Sequence, residues 1–298
     1  MSEDTLQLLL CTNGEPASYP ALEYGAWLAG LMGLPVVLLG IVEAAEKEER
    51  VTSAVESVAA ELAERGAPYR VQFESGRGSV VISRLAAAGE FIVVVGPLGR
   101  PAWRRFVQGR SFRRIMARVE SPIFYVRQSR TRLENILICM GGLGYSVSVQ
   151  NLCLHLAKIS HAKVTLLHVI EPVSFRYPIS REVTSHWREV PETNTPQGRN
   201  LRRARQKFES AGIQVDSKIR RGNAVHEILE EIDHGEYDMV GLGSTYSAHS
   251  LRHAFLPNVT AEVAEAITCP VLTARYQPKT MPWQAESAMN HDTRHNQK

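Results

Sequence analysis

Short apolar runs alternate with longer amphipathic segments along most of the chain. Runs such as 6–11, 36–42 and 91–95 are continuously hydrophobic, which is typical of strands buried on both faces of a sheet. The segment 44–65 instead spaces its apolar residues at helical intervals behind a strongly polar start. Strands that alternate with helices form βαβ units, so the pattern predicts a parallel sheet with helices on both sides.

The same pattern occurs twice in the chain. Adding 128 to a residue number near the start pairs Leu9 with Leu137, whereas an offset of 148 further on pairs Pro122 with Pro270. The change of offset requires a net insertion between the two regions. Most of it is assigned to Ser174–Asn200, a stretch rich in Pro, Thr and Glu that is predicted to be a loop.

The repeat predicts two domains of similar build, residues 1–129 and 130–277. A chain of 298 residues is long enough for two hydrophobic cores of ordinary size. The remaining segment, 278–298, is polar and has neither a helical nor a strand period, so it is predicted to be a disordered tail.

Composition and charge fit a globular protein outside the membrane. A hydrophobic content of 44% is ordinary, and a net charge of +3 is too small to indicate a nucleic acid partner. Gly33 and Pro35 interrupt the uncharged stretch 25–42, which predicts a helix end and a strand start rather than a membrane span. Four cysteines without metal spacing, and a polar N-terminus without a signal peptide, predict buried thiols in a cytoplasmic protein.

The most informative stretch follows the apolar run at 91–95. It contains Gly96, Gly99 and Gly109, then a helical pattern, and then Pro122 at the start of another short apolar strand. Glycines allow a backbone to approach an anion closely, and the first N–H groups of a helix have no partner within the helix. Such a loop is suited to phosphate, although the glycines alone fit a plain βα turn better.

The spacing of Gly96, Gly99 and Gly109 resembles the G-x2-G-x9-G-[ST] nucleotide loop of the universal stress protein family, including the proline that opens the next strand. The resemblance extends over both copies, roughly residues 5–276. It implies a doubly wound, five-stranded α/β domain of the adenine-nucleotide α-hydrolase-like type in each copy, with strand order 3-2-1-4-5. It also implies an intrachain pseudo-dimer whose copies pack through their last strands.

The resemblance also implies a nucleotide site in the first copy, in the crevice between its first and fourth strands. The family's ATP-binding members use an Asp after the first strand, the backbone at the end of the second strand, and the glycine loop. The ligand implied is ATP, with or without Mg, and thus an adenine nucleotide. The residues at the matching positions, with Ser111 one place late, are Asn13, Ile41, Gly96, Gly99, Gly109, Arg110 and Ser111.

Two of these positions leave alternatives open. Asn13 can hydrogen-bond a ribose or a base, but it equally fits an Asx turn before Gly14. Arg110 stands where the family has Ser or Thr, and its guanidinium can pair with phosphate or its bulk can fill the site. The nearby arginines are either a solvated helix face or an electropositive funnel, and they are Arg100, Arg104, Arg105, Arg110, Arg113 and Arg114.

The second copy departs from the glycine pattern. Ser244, Ser247 and Pro257 stand where Gly96, Gly99 and Gly109 are in the first copy, and Gly141 replaces Asn13. Proline in the third place removes a backbone donor at the helix start. The second copy is therefore expected not to bind ATP in the same way.

These observations predict a nucleotide-responsive regulatory module with an unidentified protein partner. No pair of carboxylates suggests acid–base catalysis, so no catalytic residue is assigned and slow ATP hydrolysis is the most that is expected. No metal-ligand spacing is present either. The rival hypothesis is a protein-binding scaffold whose sites hold no nucleotide. An adenylating enzyme on a related fold lacks its motifs, and a further homodimer remains open.

Overall fold

A computed structural model of the chain describes residues 5–98, 110–141, 146–171, 192–244 and 259–275. In the first copy the elements are β1 Gln7–Thr12, α1 Tyr19–Met32, β2 Val36–Val42, α2 Glu48–Glu64, β3 Tyr69–Ser75, α3 Gly78–Ala86, β4 Phe91–Val95, α4 Arg110–Arg118 and β5 Ile123–Tyr125. In the second copy they are β6 Asn135–Cys139, α5 Val147–Ser160, β7 Lys163–Ile170, α6 Pro196–Ser210, β8 Val215–Arg221, α7 Ala224–His234, β9 Met239–Ser244, α8 Val259–Ala266 and β10 Val271–Arg275.

The strands form one continuous sheet in the order β3-β2-β1-β4-β5-β10-β9-β6-β7-β8. Each half has the predicted order 3-2-1-4-5 and is parallel throughout, so the predicted fold is confirmed for both copies. The halves meet where β5 pairs with β10 in antiparallel orientation. The predicted contact through the last strands is therefore confirmed, and it makes one ten-stranded sheet of the two.

Two hydrophobic cores cover the two faces of this sheet, and each core extends through both copies. Helices α1, α2, α5 and α6 contribute to one core, and α3, α4, α7 and α8 to the other. Neighbouring residues of one strand alternate between the cores: Phe124 packs with Tyr24 on the first face, and Tyr125 stacks on Phe112 on the second. Burial on both faces explains why the inner strands read as apolar runs, whereas the edge strands β3 and β8 carry polar and exposed residues.

The prediction of a loop over Ser174–Asn200 is wrong for its last residues. Helix α6 begins at Pro196, and the hydroxyl oxygen of Thr195 accepts a hydrogen bond from the backbone N–H of Gly198 at 3.1 Å. A Thr cap followed by Pro in the first turn is a helix start that the aperiodic composition concealed. Residues 172–191 and the predicted tail lie outside the described residues.

Reciprocal arginine contacts hold the two copies together beside the β5–β10 pair. Arg275 donates hydrogen bonds to the backbone oxygens of Met116 and Ala117, at 2.9 and 2.7 Å, at the end of α4. Arg127, the equivalent residue of the first copy, donates to the oxygens of Glu265 and Ile267 at the end of α8. Carbonyls in the last turn of a helix have no partner within it, so each copy satisfies those of the other.

A buried carboxylate fixes the connection between the copies. Asp238 is 1% exposed and pairs with Arg132 at 3.0 Å. It also accepts hydrogen bonds from the backbone N–H groups of Glu134 and Asn135, at 2.8 and 3.0 Å. These contacts place the chain entering β6 against the end of α7 and the start of β9.

None of the helices that the structure describes has both the length and the hydrophobicity needed to cross a bilayer.

We expect Arg275→Met to lower the free energy of unfolding by about 1.5–3 kcal/mol, because two charge-assisted hydrogen bonds to α4 are lost. Arg127→Met should cost less, since Arg127 is exposed to solvent. The control is Arg118→Met, at an exposed position of α4, which should change the free energy of unfolding by no more than about 0.5 kcal/mol. Urea unfolding measures all three. Equal losses for Arg118→Met and Arg275→Met would contradict the capping role.

Candidate functional site

The candidate site lies at the carboxyl ends of β1 and β4. These strands are neighbours, with Cys11 opposite Val95, and the chain order reverses between them because β2 lies on the other side of β1. Ligands of doubly wound sheets bind at such a reversal. Asn13 and Gly96 directly follow the two strands, so the structure brings these two predicted site residues to the same edge.

The turn after β1 is built around Gly14. Its φ of +73° suits glycine, and a Cβ there would lie 2.7 Å from the backbone N of Val51 in α2. The hydroxyl oxygen of Thr12 accepts a hydrogen bond from the N–H of Gly14 at 3.1 Å and lies 2.8 Å from that of Ser18. These contacts hold the turn close to the first turn of α1.

Asn13 is 2% exposed at this turn, and its two side-chain atoms differ in their partners. Its Oδ1 accepts a hydrogen bond from the N–H of Glu15 at 3.3 Å, as in an Asx turn. Its Nδ2 is buried and has no hydrogen-bond partner within the described residues. A buried donor without a partner is costly, so this amide is available to an acceptor that enters the crevice.

Gly96 lies in a closely packed position where glycine fits best. A Cβ at this position would lie 3.0 Å from the Cα of Ser18 and 3.2 Å from the carbonyl oxygen of Val126. The end of β4 therefore passes directly against the start of α1 and the end of the first copy. This contact accounts for the glycine whether or not a ligand binds beside it.

On its other side the crevice has an apolar wall and a carboxylate. Ile41 is fully buried, and a Cβ built on Gly78 would contact the side chains of Ile41 and Leu98 at 3.9 and 3.0 Å. The Oε1 of Glu43 accepts a hydrogen bond from the N–H of Gly78 at 3.1 Å, at the start of α3. Glu171 follows β7 in the second copy and makes the equivalent contact with the N–H of Ala224 at 3.4 Å.

Glu43 and Leu98 are residues that sequence reasoning missed. The signal for Glu43 was present, because the offset of 128 that relates the copies pairs it with Glu171. Of the other predicted residues, Gly99 and Gly109 lie outside the described residues. Arg110 and Ser111 are the first two residues of α4. The structure describes their backbone but not their side chains.

The predicted arginine cluster is only partly described. Arg113 pairs with Glu262 of α8 at 3.2 Å, so it contributes to the junction between the copies. Arg114 is exposed. The other members at 100, 104 and 105 lie outside the described residues. Within the described parts of the chain, no group of three His, Cys, Asp or Glu side chains is arranged to hold a metal ion.

The equivalent crevice of the second copy has its polar groups paired with one another. Met140 stands in the place of Thr12, and Gln150 donates hydrogen bonds to Ser146 at 2.9 Å and to the sulfur of Met140 at 3.4 Å. The Nδ1 of His168 lies 2.9 Å from the carbonyl oxygen of Met140. The described side chains of this crevice are thus satisfied internally, unlike the amide of Asn13.

The four cysteines are buried free thiols, as predicted. Burial raises the pKa of the thiols of Cys11, Cys139 and Cys153, and it raises the pKa of Cys269 to about 12. Thiols with raised pKa values are poor nucleophiles at neutral pH. They therefore belong to the cores and not to a reactive site.

The structure has a doubly wound α/β fold with a crevice where the strand order reverses, and comparison with known proteins identifies the family. Residues 132–275 match the model of the universal stress protein family. The resemblance inferred from the glycine loop is therefore confirmed at the level of the family, and this part of the chain is a universal stress protein domain. The match falls on the second copy, whereas the glycine loop lies in the first.

Curated relatives and solved structures agree with this assignment. Universal stress protein YxiE of Bacillus subtilis is 27% identical over 152 residues, which are 48% of this chain and 99% of that protein. Universal stress protein MJ0531 of Methanocaldococcus jannaschii is 22% identical over 155 residues, 52% of this chain and 88% of that protein. A universal stress protein structure from Archaeoglobus fulgidus has a TM-score of 0.69 at 15% identity, over 92% of this chain and 97% of that one. The two structures therefore share a fold across both copies of the repeat.

We expect Asn13→Asp to destabilise the free protein by about 1–3 kcal/mol, because it buries a carboxylate whose only described partner is the N–H of Glu15 and whose second oxygen takes the place of the unpaired Nδ2. Asn13→Ala removes the unpaired donor together with one weak hydrogen bond, so its loss should stay below about 1 kcal/mol. Urea unfolding at neutral pH compares the two variants. An Asp variant as stable as the native protein would show that the side chain of Asn13 is hydrated in solution.

Proposed function

We propose that both copies are universal stress protein domains and that the first copy binds ATP, so that the protein acts as a nucleotide-responsive regulator of another protein. The observation that carries the proposal is the buried, unpaired Nδ2 of Asn13 at the reversal of strand order. A ribose hydroxyl or a base nitrogen has the acceptor that this amide needs. The proposed location of the protein is the cytoplasm.

The residues of the first copy have separate proposed roles. Asn13 holds the ribose or base, Ile41 supplies an apolar wall for the adenine, and the backbone at Gly96, Gly99 and Gly109 approaches the phosphates. Arg110 and Ser111 begin α4, whose first N–H groups face an anion favourably. Mg would join the phosphates through their own oxygens, since no protein metal cluster is proposed.

The second copy is proposed to be structural or regulatory. Its crevice pairs Gln150, Ser146 and Met140 with each other, which leaves no described donor free in the place of Asn13. A protein-binding scaffold without nucleotide is the second candidate for the whole chain, and this self-paired crevice is what favours it. No catalytic role is proposed for either copy.

Gly99→Val is expected to abolish ATP binding, because a branched side chain would enter the space that the phosphates need. Ser247→Val changes the corresponding position of the second copy and should leave binding intact. Calorimetric titration with Mg-ATP measures both. If binding were lost with Ser247→Val and kept with Gly99→Val, the site would have to be assigned to the second copy. If native protein showed no heat with ATP, ADP or AMP, the scaffold would be favoured.

Arg110→Ser restores the residue type of the family loop and separates the two roles of Arg110. If the guanidinium binds phosphate, its loss should weaken ATP binding by about 1.5–3 kcal/mol, or roughly ten- to a hundredfold. If the side chain fills the site, the same substitution should create or strengthen binding. The same titration decides between the two. An unchanged affinity would show that Arg110 does neither.

A further inference from the structure

Helices α2 and α6 occupy equivalent places in the two copies. Each follows the second strand of its copy and packs on the same face of the sheet, where both contribute to one core. They lie at opposite ends of the sheet, α2 over β2 and β3 and α6 over β7 and β8. The internal repeat therefore gives both ends of the sheet the same arrangement of one helix over two strands.

The two helices have opposite charge. Five glutamates and one arginine give α2 a formal charge of −4. Four arginines, one lysine and one glutamate give α6 a formal charge of +4. Most of these side chains are exposed, since each helix buries only a narrow apolar face. Duplication of the fold has thus been accompanied by a reversal of charge at one position.

Several of the exposed charges on the two helices have no ionic partner among the described residues. Glu49 and Glu56 line a shallow concave surface with Glu46, and neither Glu49 nor Glu56 has a cationic partner within 4 Å in the described chain. In the same described parts, Arg203 on α6 has no anionic partner, whereas Arg205 pairs with Glu209. Each helix therefore presents charge that another surface can neutralise.

The edge strand beside α2 offers apolar contacts as well. Tyr69, Val71 and Phe73 alternate along β3 and are 38%, 42% and 46% exposed. They lie on the α2 side of the sheet, because the ring of Phe73 occupies the space above Gly40 next to Val51. Arginine side chains pack on aromatic faces and pair with carboxylates, so this surface suits an arginine-rich helix.

The two ends cannot neutralise each other within one molecule. Six strands lie between those that the two helices cover, which puts the helices about 40 Å apart, whereas screening in physiological salt acts over about 8 Å. A second copy of the chain brings the complementary end. We propose that molecules associate head to tail, with α6 of one docking on α2 and the β3 edge of the next. Such an interface joins different surfaces and leads to rings or filaments.

Sedimentation velocity of the full chain tests the proposal. At low ionic strength the mean mass should rise with protein concentration, and about 0.5 M NaCl should return it to the monomer, because the contact is mainly ionic. A monomer at every concentration in low salt would overturn the proposal. Association that is insensitive to salt would overturn it as well.

Charge-reversed variants assign the surfaces. Glu49→Arg with Glu56→Arg brings the formal charge of α2 from −4 to 0, and Arg199→Glu with Arg203→Glu brings that of α6 from +4 to 0. Each variant thus lacks one of the two charged surfaces and should remain monomeric. An equal mixture of the two should associate again, because α6 of the first still meets α2 of the second. The control is Arg114→Glu with Arg118→Glu, exposed on the other face of the sheet, which should associate as the native protein does.

Two results would overturn the assignment of these surfaces. One is failure of the mixed variants to associate while both keep native circular dichroism. The other is that nuclease treatment returns the associated protein to the monomer, while the variant Glu49→Arg with Glu56→Arg associates as the native protein does. That second result would show that α6 binds nucleic acid and that the large species are held together by it.

Discussion

The antiparallel pairing of β5 with β10 is the contact on which the rest of the molecule depends. It involves three residue pairs, centred on Phe124 opposite Leu272, and its register is the same when the two copies are exchanged. Each copy alone would expose the edge of its last strand, with unpaired backbone groups. Joining these edges makes one sheet, lets both cores extend through both copies, and places Arg127 and Arg275 at each other's helix ends.

The same arrangement shows how one backbone can hold two different crevices. In both copies the first strand ends beside the fourth, and a glutamate after the second strand accepts a hydrogen bond from the first N–H of the helix that follows the third strand. The difference lies in side chains: Thr12 and Asn13 in the first copy, Met140 and Gly141 in the second. One set leaves a donor unpaired, and the other permits Gln150 to close a network. The proposed difference in nucleotide binding between the copies therefore needs no change of fold.

Sequence reasoning succeeded where one physical cause dominates. Strands buried on both faces must be apolar throughout, so their positions and the repeat could be predicted, whereas the joined final strands were implied by the family resemblance. It failed where the cause is a contact distant in sequence. The role of Glu43 depends on Gly78, and that of Gly96 depends on Ser18 and Val126. The start of α6 was missed because Thr195 and Pro196 follow an insertion without any period.

The two copies differ in their buried residues as well as in their exposed charges, and packing limits only the buried ones. Gly40 and Phe73 are opposite each other on β2 and β3, and the ring fills the space above the glycine. Their counterparts on β7 and β8 are His168 and Ile219, so the inner strand carries a ring in the second copy and none in the first. Buried pairs of this kind must still fill the space between the sheet and its helices, while the chemistry beside the crevice changes. Exposed positions such as those of α2 and α6 have no such volume constraint, so their charge could reverse while the buried positions kept the sheet and both cores unchanged.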